Sequence, residues 1–270
     1  MRNVLAALSV AIAWLLVSSC TARAQAGAAA DNNLYNQLRN AGPGGPAPTH
    51  DISGLWTGNI EAKKGEVPPL TPLGERLFSL NKSQAKVGEA ASNDPWKTCD
   101  PFGFPRSAVD QIRFIAFGQM PGRIVVLQSY ERTWRDVWTD GRELPKNAGL
   151  KGGPDSKMYG YSVGHWDSDN VLVIDTVGSD DSTWLDTRGY PHSVEAHVQE
   201  RYTRVDHNHL EMSVSVDDPK IFTKPFVLGT SNFIWVPNQE TQDQFCVPSQ
   251  AITYLNTISV PVGGGSSHPN

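Results

Sequence analysis

The chain has 270 residues, 39% of them hydrophobic and 19% charged, with a formal net charge of −5. This length and balance suit one large soluble domain or two small ones. The acidic excess argues against nucleic acid or an anionic membrane surface as a partner.

The chain opens MRNVLAALSVAIAWLLVSSCTARAQA, with a basic residue, an apolar run from Val4 to Val17, and small residues behind it. That is the pattern of a secretory signal peptide over residues 1–24, and the run is short for a membrane span, so the mature chain is expected to carry no transmembrane segment. Two processing readings stand side by side. Ala22-Arg23-Ala24 fits plain signal cleavage, whereas Val17-Ser18-Ser19-Cys20 resembles a lipoprotein box that would place a lipid anchor on Cys20. The expected location is periplasmic or secreted under the first and outer-membrane lipoprotein under the second.

Residues 25–50, ending AGPGGPAPTH, are rich in Ala, Gly and Pro and read as a flexible linker. One domain is expected over 51–248, followed by a C-terminal extension and tail over 249–270. TPLGERLFSLNKSQA (71–85) carries the main helical signal: Thr71 as cap, Pro72 in the first turn, and Leu73, Leu77 and Leu80 on one side.

The rest reads as strands. RIVVLQSYERTWRDVWT (123–139) is rich in β-branched and aromatic residues and predicts one long strand or two joined by a bend. YSVGHW and VLVIDTV flank the turn DSDN, and HVQERYTRV and LEMSVSV flank DHNH, so two hairpins are expected; FIWV (233–236) adds a further strand. The fold class is mainly β, an antiparallel lipocalin-like barrel or closed sandwich with few short helices.

Cys99 and Cys246 form an even pair in a chain that reads as exported, so a disulfide between them is expected; unpaired thiols are the alternative. Such a link would be worth roughly 4 to 5 kcal/mol in the chain-entropy model.

DISGLW (51–56) is similar to the start of lipocalin-like and other calycin barrels, in which the Trp closes one end. With PPLTPLGE (68–75), DPWKTCDPFGFPR (94–106), PGRIVVLQSYERTWRDVWTDGR (121–142), GYSVGHWDSDNVLVIDTVG (160–178), TWLDTRGYPHSVEAHVQERYTRVD (183–206) and LEMSVSVDDPKIFTKPF (210–226), the chain resembles a large family of exported, lipocalin-like β proteins of environmental bacteria, mostly of unassigned function. The family pattern usually has His where this chain has Tyr161, and often Arg where it has His165. Some secreted β proteins of this general kind process small aromatic or terpenoid compounds without a cofactor, which is an analogy of architecture.

The chemistry-bearing residues cluster in 183–206. His192, Glu195 and His197 invite a metal, but the histidines are five residues apart. An odd offset sends them to opposite faces of a strand, and on a helix it turns them about 140° apart, so no metal is expected. No nucleophile elbow, P-loop or dinucleotide fingerprint occurs, and no cofactor is expected. What remains is acid–base chemistry. If 194–204 is one strand, Val194, Ala196, Val198, Glu200, Tyr202 and Arg204 share the inner face, making Glu200 a carboxylate among apolar neighbours. It is read either as a general acid or base or as half of an ion pair with Arg135 or Arg204.

The expected catalytic set is His192 from a loop at the barrel mouth, Glu200 or Asp175 as counterpart, and Arg135 or Tyr130 stabilising negative charge. Tyr130, Tyr161, His165, Trp184, Asp186 and His197 are the expected substrate-binding residues. The leading functional expectation is an exported, cofactor-independent enzyme of lyase, isomerase or hydrolase type acting on a small aromatic or apolar molecule in the barrel. Its rivals are a non-catalytic periplasmic carrier of such molecules and an envelope-associated lipoprotein module. The small-molecule ligand is the one partner the sequence points to, and no feature sets an oligomeric state.

Overall fold

The structure, a computed structural model, describes residues 38, 42–130, 132–241 and 244–259. The expected signal peptide, most of the linker and the terminal tail lie outside the described residues.

The core of the fold is a closed barrel of nine strands: β1 (Gly54–Gly58), β3 (Phe114–Met120), β4 (Arg123–Gln128), β5 (Thr133–Trp138), β6 (Tyr161–Ser168), β7 (Val171–Val177), β8 (His197–Arg204), β9 (His209–Asp217) and β10 (Phe226–Trp235). Strand β1 pairs with β3 on one side and β10 on the other, which closes the ring. A two-residue strand, β2 (Lys63–Lys64), adds to β10. The mainly β, lipocalin-like expectation holds. Every neighbouring pair in the ring is antiparallel except β5–β6, which is parallel and joined by only two register pairs, Val137 with Ser162 and Trp138 with Val163. The long connection 139–160 imposes this, because a tight hairpin can join only antiparallel strands.

Alternation explains the interior. Leu172, Ile174 and Thr176 of β7, Val198, Glu200, Tyr202 and Arg204 of β8, and Leu210, Met212, Val214 and Val216 of β9 all point inward and are buried. Of the two expectations for 123–139, one long strand or two joined by a bend, the chain takes the second: β4 and β5 fold into a hairpin. FIWV is the end of a longer strand, β10.

Trp56 is fully buried and donates from its indole nitrogen to the Ile52 carbonyl at 3.0 Å. The Arg204 guanidinium lies 5.0 Å from its ring centroid and donates to the carbonyls of Asp51 and His207, tying this end of the barrel shut. Gly54 is required beside it: its φ is +114°, and a Cβ would fall 2.6 Å from the Trp235 indole nitrogen. Residues 42–50, the described part of the linker, are fixed here too. Gly42, Pro43 and Gly45 accept from Asn208 and His207, and His50 stacks on Trp166.

The segment between β2 and β3 covers other barrel surfaces with short helices. Helix α1 (Pro72–Leu80) is capped by the Thr71 hydroxyl and ends at Asn81, short of the expected Ala85; a separate turn, α2 (Gln84–Val87), follows. A 3₁₀ turn spans Pro95–Thr98, and helix α3 (Arg106–Val109) is buried along its whole length. Phe104, Ala108 and Val109 belong to the same apolar cluster as the strand interiors, so this segment plugs the barrel. Helix α4 (Pro248–Tyr254) begins at the last residue of the expected domain, packs on the 3₁₀ turn and runs on into a π-helical turn over Leu255–Ser259. The Cys99–Cys246 disulfide is formed. No helix of the described residues is long and apolar enough to cross a membrane.

Candidate functional site

The expected site residues fall in five places. The first is the barrel interior, where the Arg135 Nη2 donates to Glu200 Oε2 at 2.5 Å and the Tyr202 hydroxyl donates to Glu200 Oε1 at 2.9 Å. Arg135 Nη1 reaches the hydroxyls of Ser162 (3.0 Å) and Thr176 (3.1 Å), which bond each other at 2.8 Å. The guanidinium also lies 4.2 Å from the Phe104 ring centroid. Glu200 therefore meets an arginine, and Arg204, its other candidate partner, faces the barrel end. Burial and the Glu200 charge push the Tyr202 phenol well above its ordinary value, so it stays a donor.

Asp175 lies outside this network. It faces outward from β7, where Oδ1 accepts from Gln199 Nε2 at 3.0 Å and pairs with His197 Nε2 at 2.9 Å. His165, exposed on β6, is close enough to help hold Asp175 low. The hydrogen bond to His197 depresses the Asp175 carboxyl, and the same bond raises the imidazole. The sign follows: the His197 part of the stabilisation is complete below its ordinary value of 6.5 and is lost as pH rises through the raised value. The Asp175 part is present above its ordinary 3.8 and is lost as pH falls through the depressed value. His197→Gln is thus expected to lower the thermal midpoint most between those two pH values, with the deficit closing above the raised His197 pKa. A deficit independent of pH would show that the pair is not ionised.

His192 is only 2% exposed. Its Nδ1 faces the Ser193 carbonyl at 3.2 Å, an acceptor, so that nitrogen carries the proton; Nε2 lies 3.0 Å from the Thr183 hydroxyl. Burial lowers its pKa. The loop is held in by Asp218, which accepts from both the backbone and the hydroxyl of Ser193. His192 is thus a buried imidazole with a protein group within hydrogen-bond reach of each ring nitrogen.

Trp184 and Asp186 border a buried ionic cluster that the sequence reading missed. Arg106 forms a two-toothed pair with Asp94, both bonds 2.7 Å, and also faces Asp110, which bonds Lys64 and the Thr187 amide. The Arg106 guanidinium stands 5.8 Å from the Trp184 ring centroid, and Asp186 is chelated by Arg188. Burial, with Asp110 alongside, pushes the Glu61 carboxyl up to about 7. Every ionic group here has a partner from the chain itself. The run PFGFPR hid this, because a four-residue helix opening on Arg106 is too short to show a periodicity that would announce its burial.

Tyr130 borders the same cluster, stacked at 5.0 Å on Phe102, whose ring centroid lies 4.5 Å from the Arg106 guanidinium. Tyr161 lies at the fifth place, the seam between β5 and β6. Because the pairing there stops at Val137, residues 134–136 leave a cleft of about 240 Å³ between themselves and 157–162. Its walls are Trp134, Trp138, Tyr159 and Tyr161, and its floor is Arg135 with Ser162. Trp134 is 69% exposed at the rim. Lys157 Nζ is 4.2 Å from the Tyr161 ring centroid, while Asp136 is engaged by Arg123. Trp134 and Trp138 were readable as the outward set of an alternating strand. Tyr159 had no signal, since the loop carrying it reaches the seam only through the fold.

Among the described residues, no group of three or more His, Cys, Asp or Glu side chains is placed to hold a metal ion. In comparisons with known proteins, the chain matches no family model and no curated protein sequence.

Proposed function

We propose that this protein is an exported, small-molecule-binding β-barrel that takes a flat aromatic ligand bearing one acidic group in the β5–β6 seam. The cleft carries the reading: four aromatic side chains around a solvent-open gap, with the Lys157 ammonium at its edge and a paired, neutral floor. An exposed tryptophan is informative when it lines a concavity, because open apolar surface has no folding role there. Export is supported by the disulfide, which persists in oxidising compartments.

Carriage fits the geometry better than acid–base turnover. Glu200 would have to leave both Arg135 and Tyr202 to act as a base, and Asp175 and His192 are bonded to His197 and Thr183 rather than to it. The seam, by contrast, is open without rearrangement.

The test is titration of the purified protein with 8-anilinonaphthalene-1-sulfonate, a planar aromatic anion, followed by dye emission and tryptophan quenching. One site is expected, with Trp134→Ala and Lys157→Ala each weakening binding about 10-fold, a loss of ~1.4 kcal/mol, at unchanged thermal midpoint. Equal affinity in both variants would remove the seam as the site.

A further inference from the structure

We infer that a second cavity, under the C-terminal helix, binds an organic ammonium cation. The segment 244–259 returns to the barrel at three points: a parallel bridge from Gln244 to Tyr130, the disulfide from Cys246 to Cys99, and the packing of α4 on the 3₁₀ turn. Between this segment and residues 84–97 lies a cavity of about 390 Å³, larger than the seam cleft.

Its walls are aromatic: Trp96, Tyr130, Phe245 and Tyr254. The Trp96 and Tyr130 rings meet at 72° with centroids 6.2 Å apart, so they make a corner. Phe102 backs Tyr130, and the Arg132 guanidinium lies 5.7 Å from the Phe245 ring centroid. Ring faces carry the negative lobe of the aromatic quadrupole, and a cage of them attracts a diffuse positive charge.

The ionic groups of the lining select the sign. Asp94 is paired with Arg106, and the Lys97 ammonium keeps its charge but turns its donors onto the backbone carbonyls of Glu89, Ala90 and Ser92. The Glu89 carboxylate remains at the rim, oriented by a long 3.5 Å contact from the Tyr254 hydroxyl. A carboxylate beside four rings favours a cation, and the rings favour one with an alkylated nitrogen over a hydrated metal ion. In the seam, Asp136 is engaged by Arg123 and the Lys157 ammonium stands over the Tyr161 ring, so the preference there is for an anion.

The test is calorimetric titration of the oxidised full chain with choline, against its uncharged isostere 3,3-dimethylbutan-1-ol. Choline is expected to bind at least ~10-fold more tightly than the isostere, and Glu89→Gln and Tyr254→Ala to weaken choline about 10-fold each. Both positions are solvent-facing, so the fold should survive, and both variants should bind the naphthalene sulfonate dye as the unaltered protein does. Equal affinity for choline and the isostere, absence of choline binding, or unaltered choline affinity in both variants would overturn the proposal.

Discussion

Glu200→Ala is expected to lower the free energy of unfolding by about 3–5 kcal/mol, the loss typical of removing one member of a buried ion pair. Glu200 is 0% exposed and accepts from Arg135 and Tyr202 inside the barrel. Without it the guanidinium cannot shed its proton, so a full positive charge stays in the core beside Phe104 with two hydroxyls for company. The Tyr202 hydroxyl loses its acceptor at the same time. Arg135→Ala should do similar damage from the other side, leaving a bare carboxylate. The pair Arg135→Met with Glu200→Leu should cost much less than the two single truncations together, because both charges leave and the volume is kept. Urea unfolding of the set measures this directly. Single variants within about 1 kcal/mol of the unaltered protein would mean that water reaches the pair, which would favour a chemical role for Glu200.

The face that carries Glu200 was legible because strand periodicity is strict: apolar positions at 196, 198 and 202 fix the residue between them as inward-facing. The same rule applied to VLVIDTV was ambiguous, since Val171, Leu172, Val173 and Ile174 are all buried and a continuous apolar run does not say which side Asp175 takes. Packing on the outer face decided it. The strand Phe114–Met120 was not picked out, and Gly118 within FIAFGQM weakens its strand signal. Hairpins were readable from DSDN and DHNH because turn chemistry is local. That β1 closes the ring against β10 has no local signature, and that β5 meets β6 in parallel depends on the path of residues 139–160. The seam cleft is a product of that path. The loop position of His192 suggests a place at the barrel mouth, but its burial depends on Asp218, distant in sequence, which holds the neighbouring Ser193.

Replacing both Cys99 and Cys246 with serine is expected to lower the unfolding free energy by about 2–5 kcal/mol and the thermal midpoint by on the order of 10 °C. The two cysteines are 147 residues apart, and closing so long a loop in the unfolded chain removes about 5 kcal/mol of conformational freedom in the chain-entropy model. That is a ceiling, because the folded state also relaxes when the link is cut. Helix α4 buries none of its residues, and Phe245, Ile252 and Tyr254 remain exposed, so little besides the disulfide and the Gln244–Tyr130 bridge holds the segment. Its release stabilises the link-free folded state and offsets part of the loss. The barrel itself, closed by β1 with β10, does not depend on the segment. Two readouts therefore separate: brief proteolysis should cut the serine variant near residues 244–247 while the barrel resists, and choline affinity should fall with the missing wall while dye binding at the seam persists. A serine variant that melts like the unaltered protein and resists cutting there would show that contacts other than the disulfide secure the segment.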